Sequence, residues 1–129
     1  MKWGRPGHYL LAVAAVAAVA AVAAGPARRL SRVEVRGDSM RPTLEPGDRL
    51  VVVPIRRPAP GQLVALADPR DPGRLVVKRV AASSATGLTL LGDNAAASTD
   101  SRQYGPVAPG AVRGRVVYRY APEWRRGRL

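Results

Sequence analysis

An uncharged run from Pro6 to Ala27 constrains this chain before any other feature does: for 22 residues there is no Asp, Glu, Lys or Arg. Its centre, residues 10–24, reads LLAVAAVAAVAAVAA, with valines at 13, 16, 19 and 22 in a background of alanine. At ~1.5 Å rise per residue, a helix of this length covers a hydrocarbon core of ~30 Å. Alanine adds little transfer energy, so the drive to insert rests on two leucines and four valines. Trp3 and Tyr9 suit a membrane–water interface. The reading that follows is a short tail over 1–8 and one transmembrane anchor over 9–27. A cleavable secretory signal is the alternative, because the small residues at 21–27 offer cleavage sites. A buried or interfacial helix is the third reading. Lys2 and Arg5 flank one end of the run, and Arg28, Arg29, Arg32 and Arg36 the other. The positive-inside rule alone would keep the remainder of the chain in the cytoplasm.

That remainder, Arg28 to Leu129, is 102 residues, enough for one small domain over 28–122 and a basic tail over 123–129. It holds all 9 acidic residues and 19 of the 21 basic ones, a formal charge of +10. There is no cysteine, and the single histidine, His8, precedes the apolar run. A disulfide scaffold, a thiol nucleophile and a thiolate zinc site are thereby excluded, as is a histidine base in the domain. No metal and no cofactor are expected. Of the basic residues 19 are arginine, and only Lys2 and Lys78 are lysine. A lone lysine in so arginine-rich a domain raises the question of what arginine could not do there. Lysine can shed its proton when desolvated, and arginine cannot.

Glycine and proline recur too often after residue 30 for a helical period, and the segments between them read as strands. These are Arg32–Arg36, Arg49–Pro54, Gln62–Ala67, Arg74–Ala81, Leu88–Leu91 and Val112–Tyr120, with a turn cluster at Asp68–Gly73 and a polar loop at Gly92–Pro106. A mostly β domain of about six strands is expected, at sandwich or barrel spacing. The tail EWRRGRL is expected to fray or to rest on a surface.

Without a usable His or Cys, an activated hydroxyl in this domain needs a carboxylate or Lys78 as its base. Period two along Arg74–Ala81 puts Val76, Lys78 and Val80 on one face, and valine neighbours depress an ammonium pKa by desolvation. An edge-strand lysine guarding against aggregation is the plainer alternative. Gly37-Asp38-Ser39-Met40 is a tight turn in which a substrate carbonyl could meet the Ser39 N–H, or simply a turn. Gly92-Asp93-Asn94, followed by Ser98, Asp100, Ser101 and Arg102, reads by itself as a loop rich in Asx turns with a surface ion pair.

Taken together, GDSMRPTLEPGD, VVKRV and GDNAAASTDSRQYGPV, in that order, resemble the type I signal peptidases, the Ser–Lys leader peptidases. The likeness covers about 85 residues, Val33 to Val117, and each motif keeps its internal spacing. It implies an antiparallel β catalytic domain behind one N-terminal transmembrane helix. It further implies Ser39 as nucleophile, Lys78 as general base and Ser98 as the hydroxyl bonded to the Lys78 amine. Asp100, Arg79, Asp93 and Arg102 would be charged supports, with Gly37 and Met40 beside the substrate. Members with a serine two residues before the nucleophile use its hydroxyl in the oxyanion hole. Here that position is Gly37, so the second donor is unassigned. Only 13 residues separate Lys78 from Gly92, so this is a minimal catalytic domain. Ala95–Ala97 replace polar residues often found after GDN.

The implied function is a membrane-anchored serine endopeptidase that removes signal peptides from exported pre-proteins, with small residues at positions one and three before the scissile bond. Val22–Ala27 of the chain itself offers such a sequence. The apolar run ends at Ala24, 15 residues before Ser39, which fits cleavage at the outer membrane surface. An extracytoplasmic catalytic domain is therefore the expected orientation. The runner-up is a dedicated maturation protease like those that trim the leader of nickel superoxide dismutase, which act in the cytoplasm. A catalytically silent, membrane-tethered β module leaves the three motifs unexplained. Nucleic acid is not an expected partner despite the pI near 11.6, because the arginines are scattered and no aromatic stacking platform is present.

Overall fold

The computed structural model describes residues 29–129, so the expected anchor over 9–27 lies outside the described residues. No helix among the described residues is long and apolar enough to cross a membrane. The strands are β1 (Ser31–Glu34), β2 (Arg49–Val53), β3 (Leu63–Asp68), β4 (Asp71–Ser84), β5 (Gly87–Leu91), β6 (Val112–Ala121) and β7 (Gly127–Arg128). One four-residue helix, α1 (Ser101–Tyr104), interrupts the polar loop between β5 and β6. The strands form a single antiparallel sheet in the order β1-β2-β6-β3-β4-β5, with β7 added to β6.

Strand β3 shows why the sheet carries a core on both faces. Leu63 and Ala65 belong to one buried cluster with Val33, Val35, Met40, Leu44, Leu50, Val52, Val77 and Val116. Val64 and Leu66 belong to a second, with Val80, Leu88, Leu90 and Val107. A strand covered on both sides has no solvent face, which is why LVALA is a continuous apolar run rather than an alternating one. Each Leu or Val sequestered in this way contributes about 1.5–3 kcal/mol. The neighbouring strand β4 alternates instead, with Val77 in the first cluster and Val76 and Val80 against the second.

Strand β4 lies between β3 and β5, with Lys78 opposite Val64. Lys78 is buried, so the aggregation-guard alternative, which needs an exposed charge, fails. The turn expected over Asp68–Gly73 is narrower: only Pro69 and Arg70 separate β3 from β4. The Asp68 carboxylate accepts the Arg70 N–H at 2.9 Å and so closes the reversal locally, freeing Asp71–Gly73 to join the strand.

The basic tail is built into the fold. A 3-10 turn, Glu123–Arg125, leads into β7, and Leu129 packs against the first cluster. The cause lies in Asp48, which is only 1% exposed. Its carboxylate accepts from Arg119 Nη1 and Arg125 Nη2, both at 3.1 Å, and a buried carboxylate needs such partners to stay ionised. The frayed tail expected from composition gives way to this ion cluster, whose acidic member lies 77 residues before Arg125.

Candidate active site

Three segments converge on one cavity of about 210 Å³, whose lining includes Gly37, Ser39, Met40, Asp68, Arg74, Lys78 and Tyr104. Gly37, Ser39 and Met40 arrive on the turn after β1, Lys78 on β4 and Tyr104 on α1. Ser39 is half-buried and Met40 is 2% exposed. Gly37 has φ +83°, backbone that glycine tolerates and other residues rarely adopt.

Lys78 is only 4% exposed, and its ammonium nitrogen donates to Ser98 Oγ at 3.0 Å. Burial pushes its pKa below the ordinary lysine range. Asp100 and then Asp68 oppose the shift, while Arg70 and Arg74 reinforce it. Ser98 in turn donates to Asp100 Oδ2 at 2.6 Å. Asp100 is fully buried and also accepts from Gly92 N at 2.9 Å and from Arg102 Nε and Nη2 at 2.9 and 2.6 Å. The Arg102 guanidinium, more than any other partner, holds the Asp100 carboxyl far below its usual range despite burial, so it can only accept hydrogen bonds. That fixes the polarity of the chain. Ser98 gives its proton to Asp100 and must take one from Lys78, so one Lys78 N–H is committed to Ser98. When Lys78 is neutral, its lone pair points elsewhere. No direct hydrogen bond joins Ser39 to Lys78 among the described residues.

Asp93 joins the first and third motifs. Arg79 grips it through Nε at 2.8 Å and Nη2 at 2.7 Å, and Thr43 Oγ1 donates to it at 2.6 Å. The Asp93 N–H points at Met40 Sδ at 3.4 Å, the Asn94 N–H donates to Ser39 O at 2.9 Å, and Asn94 Nδ2 donates to Asp38 O at 3.1 Å. The approach is so close that a Cβ on Gly92 would stand 2.6 Å from Ser39 O and overlap Ser98 Oγ. Glycine at 92 is thus required by space. Asp100 N-caps α1, taking the Arg102 N–H and receiving the Gln103 amide oxygen on its own N–H, a reciprocal capping box.

All nine residues singled out from sequence fall in or directly behind this cavity: Gly37, Ser39, Met40 and Lys78 line it, and Arg79, Asp93, Ser98, Asp100 and Arg102 stand behind. Sequence reading missed Thr43, Asn94, Gln103, Asp68, Arg74 and Tyr104. Gln103 was recoverable, since Asp100-x-x-Gln103 has the capping-box spacing. A carboxylate ending an apolar strand was the available sign for Asp68, which is 5% exposed and pairs with Arg70 at 3.4 Å. Nothing local marked Tyr104, whose buried hydroxyl has no partner among the described residues.

Comparison with known proteins shows the family. The family described as signal peptidase, peptidase S26, matches residues 7–86, a span that contains Ser39 and Lys78 and ends before Gly92. The mitochondrial ATP-independent inner membrane protease subunit 1a of Arabidopsis thaliana is 31% identical, over 72% of this chain and 71% of that protein. The mitochondrial inner membrane protease subunit 1 of Schizosaccharomyces pombe is 34% identical, over 67% of this chain and 70% of its own length. The chain belongs to the signal peptidase family, peptidase S26.

Proposed function

We propose that this chain is a membrane-associated serine endopeptidase that removes leader peptides from exported pre-proteins, with Ser39 as nucleophile and Lys78 as general base. The observation that carries the reading is a lysine 4% exposed, tied by one N–H to Ser98 and facing the same cavity as Ser39. In the reaction Ser39 Oγ attacks the scissile carbonyl as its proton passes to the neutral Lys78 amine. The carbonyl oxygen becomes an alkoxide facing the Ser39 N–H. Collapse expels the leaving amine, which takes the proton back from Lys78, and water repeats the sequence on the acyl-enzyme. Ser98, Asp100 and Arg102 orient the amine; Asp93 and Arg79 hold the nucleophile turn against it. Membrane association is supported by the apolar run and by relatives named as inner membrane proteases.

Ser39→Ala and Lys78→Arg should each abolish cleavage of a leader peptide in purified, folded protein. Arginine keeps charge and reach but cannot act as a base. Substantial activity in Lys78→Arg ends the Ser–Lys assignment. A peptide series with alanine at positions one and three before the scissile bond replaced by phenylalanine or lysine tests the substrate class. Undiminished cutting of those peptides favours a dedicated maturation protease over a signal-peptide processor.

A further inference from the structure

The mechanism above leaves one hydrogen bond to the alkoxide unsupplied. Ser39 N–H is one donor, and position 37, where a serine hydroxyl would serve, is glycine. At φ +83° that backbone does not readily carry any side chain. The cavity places a cation beside the gap. A Cβ on Gly37 would stand 3.7 Å from Arg74 Nη2, and no other heavy atom beyond the adjacent residues comes within 4 Å of that point. Arg74 reaches there from β4, four residues before Lys78, where positions 74, 76 and 78 share one face of the strand.

Arg70, Arg79 and Arg102 are committed to Asp68, Asp93 and Asp100. Arg36 also lines the cavity without an ion pair among the described residues, but only Arg74 reaches the space beside Gly37 from outside the turn. Arg74 lines the same cavity as Ser39 and Lys78, is exposed, and has no ion pair among the described residues. We propose that Arg74 is the second oxyanion donor, its guanidinium N–H taking the place of the hydroxyl that Gly37 lacks. The inference rests on the Ser39–Lys78 reading. As the Ser39 Oγ–C bond forms, the carbonyl π pair moves onto oxygen and the Ser39 proton moves to Lys78. Arg74 stays protonated and only donates. When the C=O bond reforms and the C–N bond breaks, that hydrogen bond weakens and the proton on Lys78 goes to the leaving amine. A fixed cation also favours neutral Lys78, in line with the direction in which Arg74 acts on it.

The experiment is steady-state kinetics on the full chain in detergent, comparing the parent with Arg74→Ala, Arg74→Lys and Ser39→Ala at a pH above the acidic limb of each profile. Arg74→Ala should lose about 10²–10³ in kcat with KM nearly unchanged, the loss typical of one oxyanion donor. Arg74→Lys should recover part of it, and millimolar guanidinium should rescue Arg74→Ala but not Ser39→Ala. A kcat within twofold of the parent for Arg74→Ala overturns the proposal. So does a loss confined to KM and to peptides with acidic side chains, which would make Arg74 a substrate-charge reader. Cleavage by Ser39→Ala defeats the underlying dyad instead, so the two failures are distinguishable.

Discussion

At the scale of one residue, burial and the nearby carboxylates act on Lys78 in opposite senses. Desolvation favours the neutral amine, while Asp100 and Asp68 favour the ammonium. The balance falls on the side of a lowered pKa. On the proposed Ser39–Lys78 reading the active form is the neutral one, so cleavage should rise with pH through an acidic limb lying below the ordinary lysine range. A pH–rate profile for kcat/KM checks this, and a limb at or above the ordinary value contradicts it. Ser98→Ala removes an orienting bond rather than a reacting group. It should lower kcat about tenfold to a thousandfold, or roughly 1.4–4 kcal/mol of transition-state stabilisation. Wild-type kinetics in that variant would remove Ser98 from the chain that runs from Lys78 to Asp100.

Among the elements, the polar loop after β5 does the joining, and Gly92 is its narrowest point. Gly92→Ala puts a methyl group against Ser39 O and the Ser98 side chain, so the loop must move away from both. The variant should lose both activity and about 1–3 kcal/mol of stability, measured by denaturant melts beside peptide cleavage. How much of this could be read from sequence divides along physical lines. The strands β2, β3 and β5 were legible to within a residue or two, because β-branched runs bounded by Gly and Pro leave few alternatives. Order within the sheet was not, since β6 inserts between β2 and β3 through contacts that no local pattern encodes. Ser39, Lys78 and Ser98 were legible through motif spacing. Arg74 was not, because its place opposite Gly37 depends on two strands meeting across a cleft.

For the whole molecule, stability against acid follows from carboxylates that are paired inside. Asp48 is kept ionised against the cost of burial by Arg125, the Glu45 N–H and Arg119. Asp93 is held low chiefly by Arg79 and Asp100 chiefly by Arg102. All three have folded-state pKa values below the unfolded ones. Their contribution is therefore complete above the unfolded carboxylate range and is lost as pH falls through it toward the folded values. Thermal melts should be flat near neutrality and fall steeply below about pH 5. Asp48→Asn should cost about 3 kcal/mol by leaving Arg119 and Arg125 without their acidic partner. An unchanged melting temperature would mean that the tail docks through Leu129 and β7 alone.

The clip between Asn94 and the Ser39 turn has a consequence in time as well as in space. Asn94 Nδ2 and Asp38 O are 56 positions apart, and Lys78 meets Ser98 only after β5 and the loop beyond it are laid down. Contacts of such separation bear their loop-closure entropy before they return any stabilisation, so they form late. A chain still emerging from synthesis, with its strands partly paired, holds the serine and the lysine apart. On the proposed Ser39–Lys78 reading, the protein is latent until its sheet is complete. In a refolding experiment, cleavage should lag behind the circular dichroism of the strands.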